Sequence, residues 1–465
     1  MESLKKSILQ VVLAQGVVLL ASLLKALVIP SVLTVDGFAY WQIYVLYSGF
    51  VGVFSLGFTD GIYLRYGGWN YDALPFRRLR GAFRFYMGVL ALFSLTACIL
   101  VFLEDDPNKA YALFFVGLDI LAVGISGLLL YILQITNQIR SYSLFSICDK
   151  VLMIVLIGVI VCTLLPDFRL FIAADCFTKF FVCLLLLFRC KDLVIGKGER
   201  LTVSALAYFA EIRIGVNLLI ANLAGMLAVN IGRFIIELFG DLSSYAYYSF
   251  GVSITNLVLT FVSAVALVLY PSLKRMDDRD LPDYFDKTDF ASMKVSLIGF
   301  ALYAPACLFV EVVLPKYLPL LPYLDLLFLA VVGQVKMQLL NNTYYKALRL
   351  EKRLLYVNVQ SVLLFAVAGG IAYAAFRDVQ LIAAATAAVL LARAWVSEVE
   401  LRKRLKRENY RKLVFEVIFC ILFLLGTHIP FEWVAYACTI GVSVLGFVML
   451  VKSEKRKKPC ESSSS

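Results

Sequence analysis

Apolar residues along this chain come in long unbroken blocks. They neither alternate with polar ones, as a half-buried strand would require, nor form a narrow stripe on polar helices. Fourteen segments stand out: 8–33, 38–62, 85–103, 110–133, 144–165, 170–188, 214–236, 244–270, 295–313, 324–345, 354–376, 379–399, 413–430 and 433–451. A bilayer core needs roughly 20 apolar residues per helix, and the pattern predicts about 14 transmembrane helices in an all-α polytopic membrane protein. The connecting loops are too short to fold as separate domains. Composition agrees, with 61% hydrophobic and only 17% charged residues in 465, values outside the range of soluble domains.

Charge gives the orientation. Lys and Arg exceed Asp and Glu by 44 to 33, a net charge of +11, but the distribution matters more than the total. Loops on the side of the N-terminus hold 34 of the basic residues and the opposite loops only Lys109, Arg169, Lys316 and Arg377. This asymmetry marks the first side as cytoplasmic and predicts an even number of spans with both termini inside. The basic excess therefore calls for anionic lipid headgroups, not nucleic acid.

The expected organisation is two six-helix lobes, 1–188 and 214–399, joined by a cytoplasmic linker, 189–213, whose second part could lie in the interface as a short amphipathic helix. Helices 13 and 14 (400–451) and a basic, disordered tail (452–465) follow. Phe38-Ala39-Tyr40-Trp41 and Tyr245-Ala246-Tyr247-Tyr248 open the second and eighth spans, and follow Lys25 and Arg233 by 13 and 12 residues. Spans 1 and 7 thus read as equivalent members of a parallel pseudo-repeat.

Ionisable residues at membrane depth are costly and face a cavity or a partner. Lys25, Arg233 and Lys336 have no acid at helical spacing in their own helix interiors. Together they suggest a cationic, water-filled cavity suited to a phosphate or pyrophosphate. Lys179 is a fourth candidate, although Asp175 one turn away offers a pair. Gln15 shares an arc with Lys25, and Asn222 shares a face with Arg233. Lys150 and Arg393 lie near cytoplasmic ends and can snorkel. Span 10 carries a polar stripe, Gln334, Gln338, Asn341 and Tyr345, that serves either a transport path or interhelical hydrogen bonds. Tyr40, Tyr44, Tyr47, Phe54 and Phe58 form an aromatic stripe for helix packing or for stacking on sugars. Asp60, Asp119, Asp149 and Asp175 are candidates for a coupling ion, H⁺ or Na⁺, with Asp60 and Asp119 put forward. A single histidine and no paired cysteines offer no metal cluster. No catalytic constellation or nucleotide-binding motif is visible, so neither enzyme activity nor a cofactor is expected.

Two stretches carry a resemblance: VFSLGFTDGIYLRYGG (53–68) and NIGRFIIELFGDLSSYAYYSFGVSITNLVLTFVSAVALVLYPSLKR (230–275). With fourteen spans and both ends inside, they resemble the Wzx-like O-antigen and capsule repeat-unit flippases of the multidrug/oligosaccharidyl-lipid/polysaccharide exporter superfamily. The resemblance implies a two-lobed bundle around a central cavity in the bacterial cytoplasmic membrane. It implies alternating access that moves an undecaprenyl-pyrophosphate-linked oligosaccharide to the outer leaflet, with a polymerase and a chain-length regulator as pathway partners. Relatives often have Asp-Arg where this chain has Gly232-Arg233, so the cation is kept and the acid lost. Multidrug antiporters and lipid II flippases of the same superfamily, and a non-transporting scaffold, are the alternatives. Lys25 in place of a span-1 acid argues against the multidrug one.

The orientation is testable with reporter fusions. A fluorescent protein fused after residue 457 should fluoresce, and alkaline phosphatase inserted at 314–323 should be active. The reverse result at either position would overturn the count of spans.

Overall fold

The computed structural model describes residues 2–163, 166–274, 280–407 and 409–457, with side chains described between 16 and 452 except at 261, 263–279 and 351. Gln15, the last part of the second resemblance stretch and the terminal tail therefore lie outside the residues whose side chains are described. Two compact units are present, residues 1–223 and 224–465. Both are helical, with no strand among the described residues.

The first unit contains α1 (Glu2–Val32), α2 (Val35–Phe50), α3 (Phe58–Tyr66), α4 (Phe76–Leu100), α5 (Pro107–Ile135), α6 (Ile139–Thr163), α7 (Phe168–Arg189), the short α8 (Lys191–Val194) and the first part of α9 (Leu201–Phe239). The second contains the rest of α9, then α10 (Leu242–Lys274), α11 (Leu281–Ala301), α12 (Tyr303–Val313), α13 (Leu321–Lys336), α14 (Asn342–Ala347), α15 (Glu351–Phe376), α16 (Val379–Arg404), α17 (Arg411–Thr427) and α18 (Glu432–Lys457). Among the described residues each of the fourteen apolar segments falls mainly on helix. Among the described residues ten spans are long and apolar enough to cross a membrane, and the bent α2–α3 pair makes eleven. The other three segments fall on α1, α10 and α17. The chain is a multi-pass membrane protein.

Several acids on the sparsely basic side are helix caps. Asp106, Asp167 and Asp378 accept from the backbone N–H groups of Asn108, Arg169 and Gln380 at 2.8–2.9 Å. Each satisfies an amide that the first helical turn leaves without a partner. Thr34 and Asp241 do the same for Gly37 and Ser244, just before the two aromatic clusters.

The expected straight second span is broken. After the tight turn Val51–Ser55 the chain passes through Leu56 (φ 52°) and Gly57 (φ 89°) and bends by 60° into α3. Left-handed backbone suits glycine, and the crossing with α9 needs it for a second reason. A Cβ on Gly57 would stand 2.7 Å from the Val216 nitrogen, one on Gly61 2.0 Å from the Glu211 carbonyl oxygen, and one on Gly215 2.0 Å from the Gly57 carbonyl oxygen. Three glycines let two backbones touch. The quoted stretch SLGFTDG is this bend and crossing. Behind it Phe58 packs on Tyr86 and Tyr208, with ring centroids 4.8 and 5.0 Å away.

Two further differences from the sequence reading have local causes. Residues 201–213 are not a separate interfacial helix; they continue without a break into the 39-residue α9, which is roughly 58 Å long at 1.5 Å per residue. No proline interrupts α9. Span 10 is not uniform, because Met337–Asn341 is a π-turn that shifts the face its polar residues present.

Gly61→Leu forces side-chain atoms into the Glu211 carbonyl, for which no rotamer helps. The folded fraction in detergent should fall sharply, read by fluorescence-detected size exclusion and by thermal midpoint. A fully folded variant would show that the crossing is not tight.

Candidate functional site

In the first unit four helices bring charge together inside the apolar bundle. Lys25 of α1 meets Asp175 of α7 at 2.5 Å. Asp175 also pairs with Lys179 one turn later, at 2.9 Å, and accepts from the Tyr44 hydroxyl of α2 at 3.0 Å. The Lys179 ammonium donates to Asp119 of α5 at 2.5 Å, to Ser48 at 2.7 Å and to Tyr44 at 2.9 Å. Ser48 donates to the same Asp119 oxygen. Thr178 extends the network to Asp149 of α6, which pairs with Lys150 at 2.5 Å. The ammoniums also lie over rings, Lys25 over Trp41 and Lys179 over Tyr44, a favourable placement for a cation.

Exposure in this network is uneven. The Lys25 and Lys179 side chains are 24% and 20% exposed, against 10% for Asp175 and 0% for Asp119. The two lysines keep partial exposure and Asp175 and Asp119 are more enclosed, while Asp149 is 22% exposed. Lys25 therefore has an acid after all, from a helix 150 residues away, as well as the accessibility a binding residue needs. Asp60 stands apart from the network, buried at the first turn of α3 against α9.

The second unit holds its charge differently. Lys336 is 1% exposed and sits among three carboxylates: Glu398 at 2.5 Å, Asp289 at 3.5 Å, and Glu416 in close contact. Arg402, wholly buried, joins Glu398 and Asp289 at 2.6 Å each, and Trp395 donates to Glu416. The expectation that Lys336 lines an anion cavity is corrected by this cage, which α11, α13, α16 and α17 close. No surface of its ammonium remains for a ligand. The oxygens of Asp289, Glu398 and Glu416 lie within 4.8 Å of one another, a spacing that could suit a metal ion. The Lys336 ammonium already occupies that place. None of these acids is at helical spacing from Lys336, so the cage left no local signal in the sequence.

Arg233 is buried, and its guanidinium donates to the Ser249 carbonyl at 2.9 Å and to Ser253 at 3.4 Å. Among the described residues no carboxylate pairs with it, and its Nε has no hydrogen-bond partner. Arg393 does not snorkel. It is 7% exposed, with Nε also without a partner, its guanidinium near Gly225 and Asn358. Asn222 is exposed on α9. The polar stripe of span 10 serves interhelical bonding: Asn341 donates to the Ala394 carbonyl and Tyr345 to Glu400. The aromatic stripe is mostly packed, Tyr40 on Phe168 and Phe54 on Phe93.

Removing one partner of a buried pair leaves an uncompensated charge, at about 3–5 kcal/mol. Lys336→Met strands Glu416 and leaves Asp289 and Glu398 to share Arg402, and should yield little folded protein. Lys25→Met leaves Asp175 its bond to Lys179 and should shift the thermal midpoint far less. Equal losses would contradict the difference in burial between the two.

No protein-family model matches the sequence, and no curated protein matches it. Solved structures do match over the length of the chain. The lipid II flippase MurJ in an inward closed conformation is similar with a TM-score of 0.69 and 12% identity, covering 97% of this chain and 98% of its own. An inward-facing multidrug resistance MATE family transporter of the MOP superfamily is similar at 0.63 and 13%, covering 83% and 94%. A MOP superfamily transporter from Pyrococcus furiosus with reverse polarity of its binding pocket is similar at 0.53 and 13%, covering 86% and 96%. At these identities the likeness establishes the fold: this chain is folded as the transporters of the MOP superfamily are.

Proposed function

We propose that this protein is a flippase that moves an undecaprenyl-pyrophosphate-linked oligosaccharide repeat unit from the inner to the outer leaflet of the bacterial cytoplasmic membrane by alternating access. The product would serve assembly of a surface polysaccharide. The observation that carries this reading is the pair of partly exposed lysines, Lys25 and Lys179, that meet the more enclosed Asp175 and Asp119 in the apolar bundle of the first unit. A multidrug exporter for cations would present carboxylates to its cargo; here the accessible groups are positive. A diphosphate is a stronger acceptor than one carboxylate and can displace Asp175 from both ammoniums, the freed carboxylate keeping the Tyr44 hydroxyl and taking up a proton. Within the second unit Arg233 is the candidate for an anion contact, having an N–H without a partner and no acid. The fold shared with MurJ supports a lipid-linked substrate and gives lipid II as a second reading.

The acids supply a route to coupling. Asp119 holds Lys179; a proton or sodium ion taken up at Asp119 would release that ammonium to the substrate, and loss of the ion would recapture it. Asp60, outside the network, is the weaker candidate. No cofactor enters this scheme.

In a strain lacking the gene, complete repeat units on undecaprenyl pyrophosphate should accumulate in the inner leaflet, and surface polymer should disappear. Accumulated lipid II with growth arrest would favour the second reading. Unchanged polymer with new sensitivity to cationic dyes would refute both. Lys25→Ala and Arg233→Ala, at normal protein levels, should each lower transport roughly tenfold or more, the equivalent of one lost charge-assisted hydrogen bond. Normal polymer in either would remove that residue from the site.

A further inference from the structure

Away from these networks, the first unit carries a groove on its basic side. It has a volume of about 470 Å³ and runs between α4 and the start of α9, with Arg84, Phe85, Gly88, Val89 and Leu92 on one wall and Leu201 on the other. Its two ends differ in chemistry. At the polar end Arg84 donates to the Val194 and Gly196 carbonyls at 3.2 and 2.6 Å, and Arg80 to the Asp192 carbonyl at 2.6 Å. These bonds fix both guanidiniums in place without neutralising them. The one lining acid, Glu199, is paired with Arg77 at 3.1 Å. With Lys191, Lys197 and Arg200 in the adjoining turn, cations outnumber acids around this end.

The other end is apolar. Phe85, Val89 and Leu92 follow Arg84 along one face of α4, and Leu92 lies about 12 Å further into the membrane at 1.5 Å per residue. Leu92 and Leu201 are 63% and 74% exposed. Gly81 brings α4 and α9 together, since a Cβ there would meet the Ser204 hydroxyl at 2.3 Å, whereas a Cβ on Gly88 would meet nothing within 4 Å. The floor at Gly88 is open. Phe85 is braced by Tyr208 and Phe209, with centroids 5.1 and 6.1 Å away, so this wall is rigid.

We propose that this groove binds an anionic phospholipid from the leaflet on the Lys/Arg-rich side of the membrane. The un-neutralised Arg84 guanidinium takes the phosphate, and an acyl chain lies along Phe85, Val89 and Leu92 over the open floor. Charge complementarity selects the headgroup, and the depth of the apolar strip selects a lipid over a free phosphate. The site does not depend on the transport reading.

The test is native mass spectrometry of the full chain, extracted in mild detergent and titrated with phosphatidylglycerol or phosphatidylethanolamine of matched chains. Wild type should retain phosphatidylglycerol at least tenfold more tightly. Gly88→Leu fills the floor without touching a charge, and should cut that retention about tenfold while the thermal midpoint holds. Arg84→Gln should remove the headgroup preference. Equal retention of the two lipids by wild type, or unchanged retention in Gly88→Leu, would overturn the proposal. So would a polyprenyl phosphate that displaces phosphatidylglycerol from wild type and Gly88→Leu alike.

Discussion

A charge inside the membrane has no water to solvate it, and this chain places many there. Every such group must find a counter-charge or a dense set of hydrogen bonds, and helices hold their own backbone groups satisfied internally. The compensation must therefore come from neighbouring helices. That requirement ties α1, α2, α5, α6 and α7 together in the first unit, and α11, α13, α16 and α17 in the second. Apolar packing alone would not choose these neighbours, since a leucine face fits lipid tails as well as another helix. The ion pairs give each bundle its register.

The two solutions differ in a way that separates function from scaffolding. In the second unit Lys336 is enclosed by Asp289, Glu398 and Glu416, and buried Arg402 by Glu398, Asp289 and Asp286. The seal leaves nothing to exchange, and the cage joins α17 to the helices before it. In the first unit Asp119 and Asp175 are the more enclosed partners and Lys25 and Lys179 keep partial exposure. That difference is what the proposed anion site rests on.

Close backbone approach is the second constraint. Gly57, Gly61 and Gly215 let α3 and α9 cross with no side chains between them, and the left-handed turn at Leu56-Gly57 aims α3 into that crossing. The family-like stretch SLGFTDG is thus explained by geometry, and Asp60 within it is held at the crossing. The same economy shapes the lipid groove, where Gly81 closes the packing and Gly88, seven residues on, leaves it open.

Much of this was legible in the residues. Block length and the loop charges determined an all-α, multi-pass chain, because hydrophobic thickness and the positive side are read along the sequence itself. The caps at Asp106, Asp167 and Asp378 and the Asp175–Lys179 pair are equally local, each lying within a turn of its partner. What the tertiary structure decided is which cations remain accessible. Lys25 and Lys336 look alike in sequence, each a lone base in an apolar span, yet Asp175 is 150 residues from one, and Glu398 and Glu416 are 62 and 80 residues from the other. Such pairs have no periodicity to betray them. Only helix packing brings the charges together, and with them the difference between a partly exposed lysine and a wholly buried one.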